Sequence, residues 1–310
     1  MISSAESNSI KYLRSLALIM IVLCHLFQAF GNRWAWVLNV GVQIFFVISG
    51  FLYGSMYIEN YAKWGGRRFV KLYLPYAIYI VIVMPLYSYV YGYDYFIKSI
   101  IVHLSLLQGF GKLGGVEGLN HLWFLTAIVV CYLFTPILQR TAKYNICQFL
   151  SIVCAFTIDM IFVNGKCYYV FLYSLAYYIG RHHNVVSFLT LAILLVLVLV
   201  LSLYIDWKDF EALNVLSILW KSLTSIALLV AFLCIFRKCE FCKTNHIVEV
   251  LSRYSYPVYI VHHLYILGPF SIIAAMNYSY ISVILVLALI LLTTFVLDIV
   301  SSVFTKRIKI

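Results

Sequence analysis

Ten apolar runs of spanning length, or a little under it, follow one another along the 310 residues. They lie at about 12–30, 36–58, 72–91, 122–139, 146–163, 168–180, 185–205, 213–236, 255–275 and 281–304. A helix needs about 20 residues to cross a hydrocarbon core of roughly 30 Å. In lipid every backbone polar group must be satisfied within the segment, so runs of this kind fold as helices. The expected fold is therefore all-α: one polytopic transmembrane domain over residues 1–310 with about ten transmembrane helices. Apolar residues make up 64% of the chain and charged residues 11%, with a mean hydropathy of +0.98. A soluble domain carries about 25% charged residues, so that class is excluded.

The charge pattern orients the chain. Placing the N-terminus in the cytoplasm sends sixteen of the 22 Lys and Arg residues to that side. It leaves Arg33, Lys98, Lys112, Lys166 and Lys208 outside and Lys221 within a helix. This positive-inside bias puts both termini in the cytoplasm. Helix seven is apolar almost without interruption and so reads as facing lipid. The net charge of +11 arises from short basic clusters between apolar runs, which is a topology signal and excludes nucleic acid. Ala29-Phe30-Gly31 faintly resembles a signal-peptidase site, but the first run is longer than a signal peptide's apolar region and the later helices need it.

Cysteine adds little. Cys24, Cys131, Cys147, Cys154 and Cys234 fall in or beside apolar runs, where a thiol behaves as a small hydrophobe. Cys239 and Cys242 form C-x-x-C with His246 nearby, but a zinc site needs four ligands and no second pair follows, so no metal is expected. Gly109-Phe-Gly-Lys-Leu-Gly114 matches a dinucleotide-loop pattern without the strand and helix that give the pattern meaning.

Chemistry concentrates in the first run. Arg14 and His25 are eleven residues apart with nine apolar residues among the ten between them. Eleven residues is close to three helical turns, so both side chains share one face, with His25 roughly 16 Å further along. That depth is about half the hydrocarbon core. An ionisable group there marks a functional site or a neutral imidazole bonded to a neighbouring helix. Gly65-Gly66-Arg67-Arg68-Phe-Val-Lys71 reads as a glycine turn before a basic helix start, which either grips phosphates or simply signals topology. Gly41, Ser49, Gly50 and Gly54 in the second run let neighbouring helices approach closely.

Residues 92–120 form the longest loop, with a short apolar piece from Phe96 to Leu107 and His121-Leu-Trp123 at its end. His121 stands at the mouth of the fourth span, as an acceptor-site or an interface residue. His262 in the ninth run falls near the midplane by helix rise, about 13 Å beyond Arg253. Asp159, Lys221 and Asp298 are the other ionisable groups inside helices. Tyr87, Tyr89, Tyr91, Tyr93 and Tyr95 read as an aromatic belt, with a sugar platform as the bolder alternative.

These pieces in this order resemble the acyltransferase 3 family of bacterial membrane acyltransferases. The resemblance rests on Arg14 and His25, Gly41-Val-Gln-Ile-Phe-Phe-Val-Ile-Ser-Gly-Phe-Leu, the basic segment before Pro75, His121-Leu-Trp-Phe-Leu, and Ser255-Tyr256-Pro-Val-Tyr-Ile-Val-His262. It covers nearly the whole chain, in the stand-alone form without an extracytoplasmic hydrolase-like domain. Gln43 stands where the family often has an acidic residue. Lys71 replaces a second arginine, keeping the charge and losing the bidentate fork.

The resemblance implies O-acylation, usually O-acetylation, of an envelope glycan or lipid-linked oligosaccharide in the bacterial cytoplasmic membrane. Acetyl-CoA would be the donor substrate, with no permanently bound cofactor. It assigns catalysis to His25, Arg14 and His262, donor phosphates to Arg67, Arg68, Lys71 and Arg14, and acceptor contacts to His121, Trp123 and Tyr256. A secondary transporter or flippase for a small molecule or lipid-linked sugar is the competing class. Its usual pointers, an inverted repeat and a pair of broken helices, are not visible in the sequence.

Overall fold

The structure is a computed structural model that describes residues 3–110, 116–162, 169–182, 186–205, 215–238 and 245–307. Among these residues it is helical, without strands. The helices are α1 (Ser4–Ala29), α2 (Ala35–Leu38), α3 (Val40–Gly54), α4 (Tyr61–Tyr91), α5 (Tyr93–Leu104), α6 (Trp123–Thr141), α7 (Asn145–Phe162), α8 (Tyr169–Arg181), α9 (Phe188–Tyr204), α10 (Val215–Lys238), α11 (His246–Ile266), α12 (Ile272–Ala275) and α13 (Tyr280–Arg307). Each of the ten apolar runs contains a helix. Among the described residues six segments are long and apolar enough to cross a membrane: Ser4–Ala29, Ala35–Gly54, Tyr61–Tyr91, Asn120–Thr141, Leu216–Lys238 and Tyr280–Lys306. The helices at Asn145–Asp159 and Phe188–Tyr204 are apolar but shorter.

Capping explains where the sequence boundaries move. Ser3 and Glu6 form a capping box, with Ser3 N–H donating to Glu6 Oε2 at 2.9 Å and Glu6 N–H to Ser3 Oγ at 3.2 Å. This starts α1 at Ser4, more than two turns before the apolar run. Glu6 also accepts from Arg237 at 2.7 Å, so one buried carboxylate both caps α1 and ties it to the end of α10.

The chain divides into two compact units, Met1–Tyr57 with Phe134–Ser255, and Ile58–Leu133 with Tyr256–Ile310. The first is built on α3, which packs against α1, α8 and α10 around Leu13, Ile44, Val47, Phe51, Leu172 and Leu229. The approach of α3 to α8 is set by glycine. A Cβ on Gly50 would lie 2.2 Å from Tyr173 O, one on Gly54 1.9 Å from Tyr177 O, and one on Gly180 2.2 Å from Phe51 O. Close packing of small residues is how helices associate where no water drives them together. Polar pairs add to it: Thr135 with the Tyr173 hydroxyl at 2.7 Å, and Ser151 with that of Tyr178 at 2.6 Å.

Asp159, fully buried on α7, accepts from the backbone N–H groups of Val170 at 3.1 Å and Phe171 at 2.8 Å. It therefore closes the N-terminus of α8, where a carboxylate satisfies orphan donors and faces the positive end of the helix dipole. At the other extreme α9 buries no residue.

In the second unit α4 packs against α5 and α13. The Tyr76 hydroxyl donates to His103 O at 2.9 Å and that of Tyr73 to Leu104 O at 2.8 Å, fixing α5 alongside α4. Two sequence expectations are corrected here. Gly65 and Gly66 are not a turn: Asn60 caps α4 by accepting from Lys63 N–H at 2.9 Å, and the helix runs on through both glycines. The tyrosine cluster is also not one belt. Tyr87 is buried with its ring 5.2 Å from Phe270, whereas Tyr89 is 93% exposed. The side chains of Tyr93 and Tyr95 lie outside the described residues.

Candidate active site

Arg14 and His25 lie on the uninterrupted helix α1, both half-buried in the first unit. Helical continuity keeps them on one face three turns apart, as the spacing requires. The early start at Ser4 lengthens the helix ahead of them, however. His25 stands about 30 Å from the beginning of α1 at 1.5 Å per residue, one turn before its end at Ala29. It therefore sits towards the far end of the helix and not at its middle.

His25 has a local partner that the sequence reading missed. Its Nδ1 lies 2.8 Å from Gln28 Oε1, while Gln28 Nε2 donates to Cys24 Sγ at 3.6 Å. With the amide nitrogen turned to sulfur, the amide oxygen faces the imidazole and accepts from Nδ1–H. In the neutral ring the lone pair then belongs to Nε2, the nitrogen able to take a proton or attack a carbonyl. The signal was available: a polar residue three positions after His25 shares its helix face. Lys221 is buried on α10, 1% exposed.

Arg14 lines a cleft of about 380 Å³ together with Ser7, Ile10 and Lys11 of α1, Leu52 of α3, and Glu249, Ser252 and Arg253 of α11. Lys11 Nζ is 3.1 Å from Glu249 Oε1 across it. Ser15 Oγ donates to Val248 O at 3.1 Å and so fixes α1 against the start of α11.

The remaining predicted residues belong to the second unit. Arg67, Arg68 and Lys71 stand on the second and third turns of α4, with Lys71 four residues after Arg67 and three after Arg68 and so next to each on the helix surface; Arg67 and Lys71 are exposed and Arg68 half-buried. The Tyr256 hydroxyl donates to the carbonyl of Leu72, so α11 is tied to α4 one residue after Lys71. His121 sits in a 3₁₀ turn, Asn120–Leu122, that leads into α6. Its Nε2 is 3.1 Å from Ile260 O, and its carbonyl accepts from the Tyr259 hydroxyl.

His121 and His262 come together with ring centroids 5.1 Å apart, and both are buried. His263, which sequence reasoning left aside, completes the group: its ring stacks on His121 at 4.5 Å and its Nδ1 is 2.9 Å from Gly118 O. Trp123 is half-buried beside them in sequence.

Among the described residues no group of His, Cys, Asp or Glu is placed to hold a metal ion. Cys239, Cys242 and Gly111 to Gly114 lie outside the described residues.

The family model for the acyltransferase domain matches residues 7–302, which takes in every segment that carries the resemblance. The chain belongs to the acyltransferase 3 family. No curated protein and no solved structure matches it. As a member of the acyltransferase 3 family with six segments among the described residues long and apolar enough to span a bilayer, it is a multi-pass membrane protein.

Proposed function

We propose that this protein transfers an acetyl group from cytosolic acetyl-CoA to a hydroxyl of an envelope glycan, such as O-antigen, capsule or exopolysaccharide, or of its lipid-linked precursor. It would do so in the bacterial cytoplasmic membrane with both termini in the cytoplasm. The observation that carries the reading is the His25–Gln28 contact, three turns from Arg14 on one helix of a chain in this family. Arg14 in the first unit, and separately Arg67, Arg68 and Lys71 in the second, would contact the donor's phosphates by charge-assisted hydrogen bonds, and the thioester arm would run along α1.

At the thioester, His25 Nε2 takes the proton of the glycan hydroxyl while its oxygen attacks the carbonyl carbon. The C–S bond breaks, and the thiolate recovers that proton from the imidazolium. Gln28 holds the ring in the tautomer this needs. His262 with His121 and Trp123 would serve the acceptor side. Tyr256, whose hydroxyl donates to Leu72 O, would offer a sugar the face of its ring.

Two measurements test this reading. Purified protein should bind acetyl-CoA, and the Arg68→Ala, Lys71→Ala double variant should bind it about tenfold more weakly, since contacts between cations and phosphate are among the stronger hydrogen bonds. Unchanged affinity would reduce the basic face of α4 to a topology signal. Orientation is tested by single cysteines at the exposed positions Glu59 and Lys98 in a cysteine-free background. Position 59 should be labelled only from the cytoplasm and position 98 only from outside. The reverse pattern would put the donor residues on the wrong side of the membrane.

A further inference from the structure

The twelve residues of α5 are too few to span a bilayer, and they lead the chain back along α4. Gly92, at φ +87°, makes the turn at the end of α4. The contacts of Tyr76 with His103 and of Tyr73 with Leu104 put the far end of α5 beside Tyr76, about 22 Å back along α4 from Tyr91. Irregular backbone inside a spanning segment's depth is tolerated only where protein or a polar cavity surrounds it. Thr126 of α6 closes the turn that follows: its hydroxyl donates to Leu106 O at 2.7 Å and accepts from Gly109 N–H at 3.2 Å. Further on, a Cβ on Gly118 would lie 2.4 Å from the Tyr87 hydroxyl. His103 and Gly118 therefore bracket the face of α4 that carries Tyr76, Tyr79, Val83 and Tyr87, all buried.

Three side chains of this return keep a polar atom that has no hydrogen-bond partner among the described residues: His103 at Nε2, Gln108 at Oε1 and Tyr79 at its hydroxyl. They are 0%, 6% and 5% exposed. Burying such atoms costs free energy that leucine or phenylalanine would not, so packing does not explain them. The other end of each side chain defines what it offers. His103 Nδ1–H donates to Ser99 O at 2.8 Å, which makes Nε2 of the neutral ring an acceptor. Gln108 Nε2 donates to Leu122 O at 3.1 Å, which leaves Oε1 as a second acceptor. The Tyr79 hydroxyl both gives and takes. Two acceptors and a hydroxyl, all uncharged, suit a ligand that presents hydroxyl groups. A phosphate or carboxylate would meet lone pairs, and an ammonium ion would lose its water with no counter-charge among the three.

We propose that His103, Gln108 and Tyr79 bind the hydroxyls of a neutral sugar along this face of α4. The inference rests on the glycan acceptor of the proposed function and extends it. Leu122, which Gln108 holds, lies between His121 and Trp123, so the three contacts continue the acceptor side along the same segment. They fix the sugar ring, and with it the hydroxyl that is presented. A buried water makes the same hydrogen bonds, and the experiment separates the two.

Full-length protein with isotope-labelled histidine rings is titrated, without acetyl-CoA, with oligosaccharide released from the surface polysaccharide of cells lacking the gene. The His103 signal is the one lost in His103→Leu. Its Nε2 resonance should start at the position of an unbonded acceptor and move to that of a hydrogen-bonded one at saturation. Tyr79→Phe, which removes one oxygen and no packing volume, and His103→Leu should each weaken binding by about three- to tenfold, as one neutral hydrogen bond does, with a thermal midpoint at or above wild type. An Nε2 signal that is hydrogen-bonded before sugar is added and does not move marks a water and overturns the proposal. So does wild type that binds no oligosaccharide, and so do folded variants that bind it as wild type does. If His103→Leu does not fold, Tyr79→Phe decides. Sugar binding of the expected kind without acetyl transfer would count against the proposed function and leave this site standing.

Discussion

His25→Ala is expected to abolish glycan acylation while acetyl-CoA still binds, because the groups assigned to binding and to chemistry lie roughly 16 Å apart along α1. Losing a general base costs about 10²- to 10⁴-fold in rate. A histidine that only packs predicts a different pattern, with less folded protein and near-normal activity per folded molecule. Acetyl groups on surface glycan, measured per molecule of inserted protein with donor binding alongside, separate the two. Gln28→Leu is the graded companion: it leaves the imidazole in place but removes the acceptor at 2.8 Å that sets its tautomer. Its loss should be smaller, and Gln28→Glu, which keeps an oxygen there, should recover most of it. Activity of His25→Ala within a few-fold of wild type would remove the imidazole from the reaction.

The second large effect is on folding. Gly54→Ala puts a methyl group 1.9 Å from the carbonyl oxygen of Tyr177, and Gly50→Ala one 2.2 Å from that of Tyr173. Overpacking a closed contact typically costs about 1–3 kcal/mol, and more where the obstacle is main chain and cannot rotate away. Either variant should sharply reduce the monodisperse fraction recovered in detergent and lower the thermal midpoint. Gly65→Ala provides the control. Its added methyl group meets nothing within 4 Å, and alanine is favoured over glycine inside a helix by about 0.5–1 kcal/mol. That variant should therefore be as stable as wild type or more so.

What could be read in the sequence divides along the range of the interactions. The apolar runs located the helices because hydropathy and length are local properties. The spacing of Arg14 and His25 was legible because one helix, α1, carries both. The start of α1 was legible in principle, since Ser3 and Glu6 have capping-box spacing, but hydropathy alone placed it at the apolar boundary. Gly65-Gly66 misled for a related reason: Asn60 had already nucleated α4, and two glycines cost a helix less than ending it. Gln28 was missed although it lies within one turn of His25.

The partners of Asp159 lie on another helix, α8, and Arg253 shares its cleft with residues of α1. No periodicity in one segment reports which neighbour it will meet. The stacking of His263 on His121 is of the same kind, joining positions far apart in the chain.

The contact of α3 with α8 has a genetic consequence. A packing fault between two side chains can be repaired from the opposite side, by trimming whichever neighbour is struck. Here the atoms struck are the main-chain oxygens of Tyr177 and Tyr173, with that of Phe51 facing Gly180. Changing the amino acid at 177 leaves its carbonyl where it was. Selection for restored function in a Gly54→Ala strain should therefore return glycine at position 54, and no suppressor among the residues it touches, because a peptide oxygen has no alleles.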